Sequence, residues 1–237
     1  MPSGRLIPAV IAAVLFPAPA LAGAPGFFVG LDASVGTVSG SSNTTDGGAP
    51  FAGGGVVRNV DFGTATGFGG HVGYRFNAAV SAFVSYRRLS SDVRWDADFP
   101  LAGVASSFRG KAVAHAVTAN IGYDLAISDA VTARAAAGAG LTFNVLSDVV
   151  ETDQGSGLFL ADVARRTRTK PMAQLSLGIE HRISPGVAAG LTASASYGGG
   201  FETGDTRVGN LGVTDINPYR IGHIWRTGLA ASVRFRF

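Results

Sequence analysis

The carboxyl-terminal segment alternates apolar and polar side chains up to the last residue, and this pattern restricts the fold more than any other. Every second position is apolar: Leu229, Ala231, Val233, Phe235 and Phe237. The positions between them include Ser232, Arg234 and Arg236. In a β-strand these two sets face opposite sides of the sheet. A strand with one apolar face and one polar face that ends on an aromatic residue is typical of a transmembrane β-strand.

The other end of the chain has the features of an export signal. Arg5 precedes a mostly apolar stretch over residues 6–16, and Ala20, Leu21 and Ala22 form a small-residue cleavage pattern. The apolar stretch is too short to span a bilayer as a helix. We therefore expect a cleaved signal peptide over residues 1–22 and a mature chain over residues 23–237. The alternative is an uncleaved N-terminal anchor.

The composition excludes several kinds of function. The chain contains no cysteine, so disulfides, thiolate metal sites and cysteine nucleophiles are excluded. The formal net charge is only +3, which gives no indication of nucleic-acid binding. Glycine is abundant, with 34 of 237 residues. An exported, glycine-rich chain without long apolar segments is compatible with a secreted β-protein or an outer-membrane barrel. We expect no cofactor and no metal site.

Alternation with a period of two recurs in eight segments and predicts eight strands. They cover residues 27–36, 62–76, 80–87, 112–125, 131–144, 173–183, 187–198 and 219–237. Short turns near 77–78, 128–129 and 184–186 alternate with long connections over about 39–61, 90–107, 146–169 and 199–218. This order predicts an all-β, eight-stranded antiparallel up-and-down barrel with four long loops at one end. A soluble lipocalin-like barrel would show the same alternation.

Two features favour the transmembrane barrel over the soluble one. The polar face is rich in Gly, Ala and Ser, which fit the crowded interior of an eight-stranded barrel. The apolar face carries aromatic side chains near its ends, with Tyr74, Phe76 and Tyr123 near the short turns. Trp225 lies twelve positions before Phe237, which for a strand tilted by about 40° is roughly 30 Å of height, close to that of the lipid band.

Several segments resemble a known family. The stretch Gly-Gly-His-Val-Gly-Tyr-Arg-Phe over residues 69–76, the stretch Asn-Ile-Gly-Tyr over residues 120–123 and the terminal Phe237 are similar to the opacity-type, porin-like small outer-membrane β-barrel proteins of Gram-negative bacteria. The resemblance covers essentially the whole mature chain. It implies an outer-membrane location and insertion by the outer-membrane assembly machinery, with Val233, Phe235 and Phe237 as the assembly signal. It implies no catalytic residue, and we expect the protein not to be an enzyme.

The most notable polar residues are charges that the alternation directs into the lumen. They are Asp32, Arg75, Arg87, Asp124, Arg134, Glu180, Arg182, Arg226 and Arg234. Charges in a narrow interior must be paired or hydrated. We expect them to form a structural network of ion pairs. The alternative is that they line a narrow pore that prefers anions.

The remaining candidates are histidines and charges near the loops. His71 is predicted in the lumen, and His115, His181 and His223 on the lipid-facing side; a lipid-modifying enzyme would need a serine and a carboxylate beside one of them. Asp92, Asp96 and Asp98 form an acidic cluster whose spacing matches no defined Ca²⁺ loop. Arg109 and Lys111 lie near the predicted outer rim, where they could contact lipopolysaccharide phosphates. Arg165, Arg166 and Arg168 form a basic run in the third long loop.

Together these patterns predict a monomeric outer-membrane barrel with a structural or surface-interaction role. Its expected partners are outer-membrane lipid and lipopolysaccharide, the assembly machinery, and an extracellular ligand that the loops would bind. We expect no nucleic-acid partner. The first alternative is a narrow, anion-preferring pore for small solutes. The second, less favoured alternative is a lipid-modifying outer-membrane enzyme.

Overall fold

The computed structural model describes residues 25–42, 56–99, 103–210 and 212–237. The predicted signal peptide, residues 1–22, lies outside these described residues. The described part folds into β1 (Gly26–Ser42), β2 (Val56–Phe62), β3 (Ala65–Arg75), β4 (Val80–Phe99), β5 (Val104–Ala126), β6 (Val131–Asp153), β7 (Phe159–Val163), β8 (Arg166–Ser184), β9 (Val187–Gly198), β10 (Phe201–Glu202), β11 (Thr206–Gly209), β12 (Gly212–Asp215) and β13 (Arg220–Arg236). In these ranges we find no helix that is long and apolar enough to cross a membrane.

Eight of the strands form a closed ring, which confirms the predicted antiparallel barrel. Around the ring the order is β1, β3, β4, β5, β6, β8, β9 and β13, and β13 returns to β1. The closing pair β1–β13 runs from Phe28 opposite Arg236 to Ser42 opposite Ile221. The terminal Phe237 N–H donates to the Phe27 carbonyl at 3.0 Å and extends this seam by one more bond. Because the ring closes, no strand in it is left with an unpaired edge along the barrel wall.

The three tight turns lie at one end of the barrel, together with the first and last residues that the structure describes. The turn between β3 and β4 is held by the Asn77 side chain, whose Oδ1 accepts from the N–H groups of Ala79 and Val80 at 2.9 and 2.8 Å. Ser128 Oγ accepts in the same way from Val131 N–H at 3.1 Å. Asn and Ser are favoured in such turns because their side chains replace missing backbone partners. We call this the short-turn end and the opposite end the loop end.

At the loop end the strands continue well beyond their predicted limits. β4 runs to Phe99 and β5 begins at Val104, so most of the segment predicted as a loop over 90–107 is a hairpin. β6 likewise continues to Asp153, into the predicted loop over 146–169. β2 pairs with the far half of β4, and β7, β11 and β12 extend the sheet beyond β6. We call this added sheet the loop-end extension. Phe62, predicted in one strand with residue 76, belongs to β2 instead.

The inward-facing side of the loop-end extension is apolar, whereas a polar lumen was predicted throughout. Trp95 and Phe108 are each 1% exposed, and their rings stack with centroids 5.2 Å apart. Tyr219 packs on the same pair, 4.7 Å from the Phe108 ring. The full cluster, here called the loop-end core, contains Val57, Val93, Trp95, Ala97, Phe99, Phe108, Ala112, Ala114, Leu146, Val149, Val163, Phe201, Ile216, Tyr219, Ile221 and Ile224.

Candidate functional site: the barrel lumen

Glu180 is the centre of an ion-pair network near the short-turn end of the lumen. Its carboxylate accepts from Arg234, with Nη2 2.6 Å from Oε1, and from Arg236, with Nη2 3.3 Å from Oε2. Arg134 approaches from β6, with Nη1 3.9 Å from Oε1. These side chains come from β6, β8 and β13, so the network connects strands that are not all neighbours in the wall. Charge-assisted hydrogen bonds are the strong class of such contacts.

Arg134 connects Glu180 to a second carboxylate and to two aromatic rings. Its Nη1 lies 3.6 Å from Asp124 Oδ1, and both side chains are less than 10% exposed. The guanidinium also lies over the rings of Phe28 and Phe83, at 5.4 and 5.0 Å from their centroids. Cation–π contact of this kind stabilises a cation that has lost part of its water. The Arg134 charge is therefore compensated on several sides.

The middle of the lumen is filled by a second set of polar contacts. Arg87 Nη2 lies 3.3 Å from Asp32 Oδ1 across the β1–β3–β4 wall. Gln174 donates to Asn120 Oδ1 at 2.6 Å and to Thr118 Oγ1 at 2.9 Å. These bonds span the barrel from β8 to β5. They satisfy amide and hydroxyl groups that would be costly to bury alone.

Arg226 marks the upper limit of the polar lumen. Its guanidinium donates to Asn144 Oδ1 at 2.8 Å and lies 5.9 Å from the Phe201 ring centroid. Within the described ranges no carboxylate forms an ion pair with it. Above Arg226 the side chains belong to the loop-end core.

The nine predicted lumen residues divide into three groups: seven that form ion pairs or hydrogen bonds in the lumen, one partly buried arginine and one exposed arginine. Asp32, Arg87, Asp124, Arg134, Glu180 and Arg234 form direct ion pairs, and Arg226 forms hydrogen bonds. Arg75 is partly buried beside the lower network and lines a cavity of about 20 Å³ with Arg236 and Asp124. Arg182 shares the inward parity but is exposed at the short-turn rim. Arg236, which was not among the predicted residues, joins Glu180.

Sequence reasoning missed a cluster at the mouth of the barrel. The Glu202 side chain is 6% exposed and receives Arg168 at 2.6 Å, Arg166 at 3.4 Å and Arg220 at 3.8 Å. We call these four residues the Glu202 cluster. Arg166 and Arg168 belong to the basic run predicted in a loop, but they lie on β8. Glu202 lay in a segment predicted as a loop, and its sequence carries no signal of burial.

A second buried carboxylate anchors the loop-end extension. Glu151 accepts from Arg207 of β11 at 2.5 Å and from Ser106 of β5 at 2.8 Å. Burial raises the pKa of the nearby Tyr219 hydroxyl, and the negative charge of Glu151 acts in the same direction. Tyr219 is therefore neutral at physiological pH, as its place in the loop-end core requires.

The cavities that border these lumenal residues are small. The largest of three holds about 70 Å³ and is lined by Asp32, His71, Arg87 and Gln174, among others. Another, of about 30 Å³, lies beside Arg226. A cavity of 70 Å³ can hold a few water molecules but not a solute of metabolite size. The lumen is thus mostly filled by its own side chains, as expected for eight strands.

The histidines and the acidic cluster lie where strands contact one another. His71 packs in the lumen against the rings of Phe28 and Phe83. On the outer wall, His115 Nδ1 lies 2.8 Å from Tyr86 Oη, and His223 Nδ1 lies 3.2 Å from Ser41 Oγ. His181 is exposed.

Two of the three acidic side chains, Asp96 and Asp98, hold β2 on β4. Asp96 accepts from Asn59 at 2.9 Å and from Ser107 at 2.8 Å, and Asp98 pairs with Arg58 at 2.6 Å. Among the residues that the structure describes, no group of three or more His, Cys, Asp or Glu side chains could hold a metal ion.

The lipid-facing side of the closing strand between Trp225 and Phe237 is apolar apart from Thr227. Val233, Phe235 and Phe237 are exposed on it, and Phe237 is 82% exposed. Phe27 and Tyr74 lie at the same end, with ring centroids 5.0 Å apart. At the other limit of the band, Trp225 packs on Tyr197 with centroids 5.0 Å apart. Aromatic side chains thus border the apolar band at both ends, as in transmembrane barrels.

Comparisons with known proteins agree with this architecture. The family model for the outer membrane protein beta-barrel domain matches residues 9–218. Among solved structures, the outer membrane protease OmpT from Escherichia coli is similar in fold, with a TM-score of 0.50 and 8% identity over 89% of this chain and 97% of that one. Neisserial surface protein A matches with a TM-score of 0.45 and 17% identity, over 91% and 100% of the two chains.

The outer membrane protein OprG from Pseudomonas aeruginosa matches with a TM-score of 0.46 and 14% identity, over 87% of this chain and 95% of that one. No curated protein matches the chain. The family model covers well over half of the sequence, and the ring of eight strands has the expected lipid-facing band. The chain is therefore an outer-membrane protein of a Gram-negative bacterium and belongs to the outer membrane protein beta-barrel family.

Proposed function

We propose that the protein is a closed outer-membrane barrel with a structural and surface-interaction role. The observation that carries this proposal is the loop-end core, which fills the lumen at the outer end. Trp95, Phe108, Leu146 and Ile224 are each no more than 1% exposed there. Close packing leaves no room for a solute to pass between such side chains.

Ion pairs at the short-turn end also support the proposal that the barrel is closed. A solute that entered there would have to displace Arg134, Arg234 or Arg236 from Glu180. Breaking a buried ion pair by removing one partner costs several kcal/mol, about 3–5 in measured cases. The charged network therefore stabilises the barrel and closes it at the same time.

The interaction role rests on the loop-end extension. This part of the protein is a hydrogen-bonded sheet with its own apolar core, so it presents a rigid surface beyond the lipid band. In the Glu202 cluster three arginines share one carboxylate, and Arg220 remains 67% exposed. Their free N–H donors suit an anionic extracellular ligand.

Assembly as a monomer is part of the proposal. Every strand of the ring has two hydrogen-bonded neighbours, so the wall offers no free edge to a second copy. The exposed face formed by Val233, Phe235 and Phe237 suits recognition by the outer-membrane assembly machinery before the barrel closes.

Planar-bilayer recording tests the closed barrel. We expect the purified protein to give no discrete openings, because both ends of the lumen are blocked. The same sample should show heat-dependent mobility on SDS gels, which verifies that a folded barrel was inserted. Discrete, anion-selective openings in such a sample would contradict the proposal.

Those openings would favour the second candidate, a narrow pore that prefers anions. The observation in its favour is the excess of arginine in the lower lumen, where Glu180 alone contacts Arg134, Arg234 and Arg236. A conducting lumen lined in this way would attract anions.

We also propose that the protein is not an enzyme. The pair Ser41–His223 on the outer wall is the arrangement closest to a nucleophile with its base. In the described ranges, however, no carboxylate is hydrogen-bonded to His223 to orient it. Mass spectrometry of lipid A from cells with and without the protein should show identical species. A lipid A species that depends on Ser41 would reverse this part of the proposal.

A further inference from the structure

An open cleft lies on the outer wall of the barrel, where β4, β5 and β6 extend beyond the lipid-facing band. Its volume is about 300 Å³. The charged side chains that line it are Arg94, Arg109, Lys111, Asp92 and Asp148, and all five are exposed. Three cations and two carboxylates give the cleft a net positive charge. We call it the outer-wall cleft.

Two of the cations lie directly opposite each other on neighbouring strands, and Asp61 of β2 lies on the other side of Arg94 without forming an ion pair with it. Arg94 lies directly opposite Arg109 in the β4–β5 pair, on the outward face of the sheet. Like charges directly opposite on neighbouring strands destabilise a sheet. Within the described part of the chain, no ion pair includes Arg94, Arg109 or Lys111. An anion bound between them would remove the repulsion.

The cleft is shaped by an irregularity in the backbone. Asp148 has a φ of 53°, a left-handed conformation that is uncommon for residues other than glycine. Beside it the β5–β6 register shifts between Arg109 and Lys111. Opposite this bulge, a Cβ on Gly110 would lie 2.8 Å from Val149 Cγ2, so a larger residue would not fit without movement. Bulges of this kind redirect side chains and often lie next to functional sites.

The height of the cleft along the barrel axis indicates which layer of the membrane it faces. On β5, Tyr123 lies at the short-turn end, and Lys111 lies twelve positions further along the strand, the same number that separates Trp225 from Phe237 on the closing strand. Lys111 is therefore about level with the upper aromatic border of the band. The Arg94–Arg109 pair lies two ladder positions above the Asp92–Lys111 pair, which is about 5 Å for a strand tilted by about 40°. The head-group layer begins directly above the hydrocarbon core and is about 5–7 Å thick.

We propose that the outer-wall cleft binds the phosphate-bearing head group of lipopolysaccharide. Arginine presents a planar set of donors to phosphate, and lysine adds a mobile positive charge. Arg94 and Arg109 would hold one phosphate between them, and Lys111 would contact the same head group from the side nearer the membrane. This site goes beyond the proposed function, since a closed barrel needs no lipid site on its wall.

Binding of lipid A to the full-length protein in lipopolysaccharide-free detergent tests the proposal. The bisphosphorylated and dephosphorylated forms are compared, with EDTA present so that divalent cations form no bridge. The triple variant Arg94→Gln/Arg109→Gln/Lys111→Gln should bind the bisphosphorylated form on the order of 100-fold more weakly. Each cation near an anionic head group contributes about a factor of five.

A charge-matched control separates the cleft from the general positive charge of the loop end. The variant Arg165→Gln/Lys170→Gln removes two exposed cations there that form no ion pair among the described residues, and it should bind lipid A like the wild type. Its charge-matched counterpart Arg94→Gln/Arg109→Gln should bind lipid A roughly 25-fold more weakly. The variant Asp92→Asn/Asp148→Asn should bind more tightly, because both carboxylates repel phosphate. Heat-dependent gel mobility verifies folding of each variant, and the cleft variant should fold normally because it breaks no ion pair.

Four results would overturn the proposal: equal affinity for dephosphorylated lipid A, loss of binding in EDTA, an equal loss in the charge-matched control, or inorganic phosphate at micromolar concentration displacing the lipid. The last would indicate a site for free phosphate instead of a head group. None of these results bears on whether the lumen conducts, so the two proposals fail independently.

Discussion

A single side chain, Glu180, holds together much of the lower lumen. Its carboxylate contacts Arg134, Arg234 and Arg236, which belong to two other strands. A buried charge is costly unless it is paired, and here each partner depends on the others. Removing the carboxylate would leave three arginines with only Asp124 nearby.

We expect Glu180→Gln to lower the free energy of unfolding by about 3–5 kcal/mol, the range for breaking a buried ion pair. Guanidinium unfolding of the barrel from lipid vesicles, followed by tryptophan fluorescence, measures this. Arg182→Gln, two residues away on the same face but exposed, should change stability by less than about 0.5 kcal/mol. Equal stability of the two variants would mean that water hydrates the lumenal arginines.

Side-chain parity predicts a set of inward-facing charges, but it does not indicate which of them pair. Two arginines show the limit. Arg236 lies one residue from the chain end and still reaches Glu180, whereas Arg182 is exposed at the rim. Pairing across a barrel depends on strand stagger and rotamers, which a linear pattern does not contain. Glu202 was missed for another reason, because its predicted loop is partly β-structure.

At the scale of one element, β4 shows why the loops were predicted too long. Its first half directs Val84 and Tyr86 outward, toward lipid. Beyond Ser91 the apolar side chains are Val93, Trp95, Ala97 and Phe99, which point inward. The apolar residues thus change from the outward to the inward face of the same strand, because the medium outside the wall changes from lipid to water. This change can be seen in the sequence. However, if the apolar residues are assumed to face outward along the whole strand, the aspartates of this segment resemble those of a polar loop.

The two tryptophans of the chain offer a matched test of this inversion. Trp95 is 1% exposed in the loop-end core, whereas Trp225 is 47% exposed on the lipid-facing side. Trp95→Ala should lower the free energy of unfolding by about 3–5 kcal/mol, as for other buried aromatic residues. Trp225→Ala should cost clearly less. The shift in gel mobility with denaturant measures both without a tryptophan probe.

Equal losses for Trp95→Ala and Trp225→Ala would indicate that the loop-end extension is not a packed core. A loss larger for Trp225→Ala would indicate that the lipid-facing aromatic border dominates stability. The first result would also weaken the proposal that the outer end of the lumen is closed, since that proposal depends on close packing around Trp95.

At the scale of the whole molecule, two different interiors occupy one barrel. The part within the lipid band is apolar outside and charged inside, whereas the loop-end extension is polar outside and apolar inside. The second part is organised like a water-soluble β-protein, built on strands that continue from the first. The eight strands of the ring, their order and the position of the short turns at one common end of the barrel were predicted from the sequence. The loop-end core was not predicted, because no single strand contributes enough of its apolar residues to show a pattern distinct from that of the lipid band.

Closure of this barrel joins β1 to β13. Phe237 therefore has two roles that can be tested separately, one in the closed seam and one in recognition by the assembly machinery. Phe237 forms a backbone bond to Phe27 and exposes its ring to lipid. Phe76 is a matched control, because it is also exposed on the lipid side at the short-turn end, at 54%. If the assembly machinery reads the last residue, Phe237→Ala should reduce the outer-membrane yield in cells several-fold, whereas Phe76→Ala should not. Both purified variants should fold equally well into lipid vesicles, because both lose the same lipid contact. Equal yields in cells would contradict the assembly-signal role. Poor folding of Phe237→Ala alone in vesicles would show that the ring itself is needed to fold the barrel, because the variant keeps the backbone bond to Phe27.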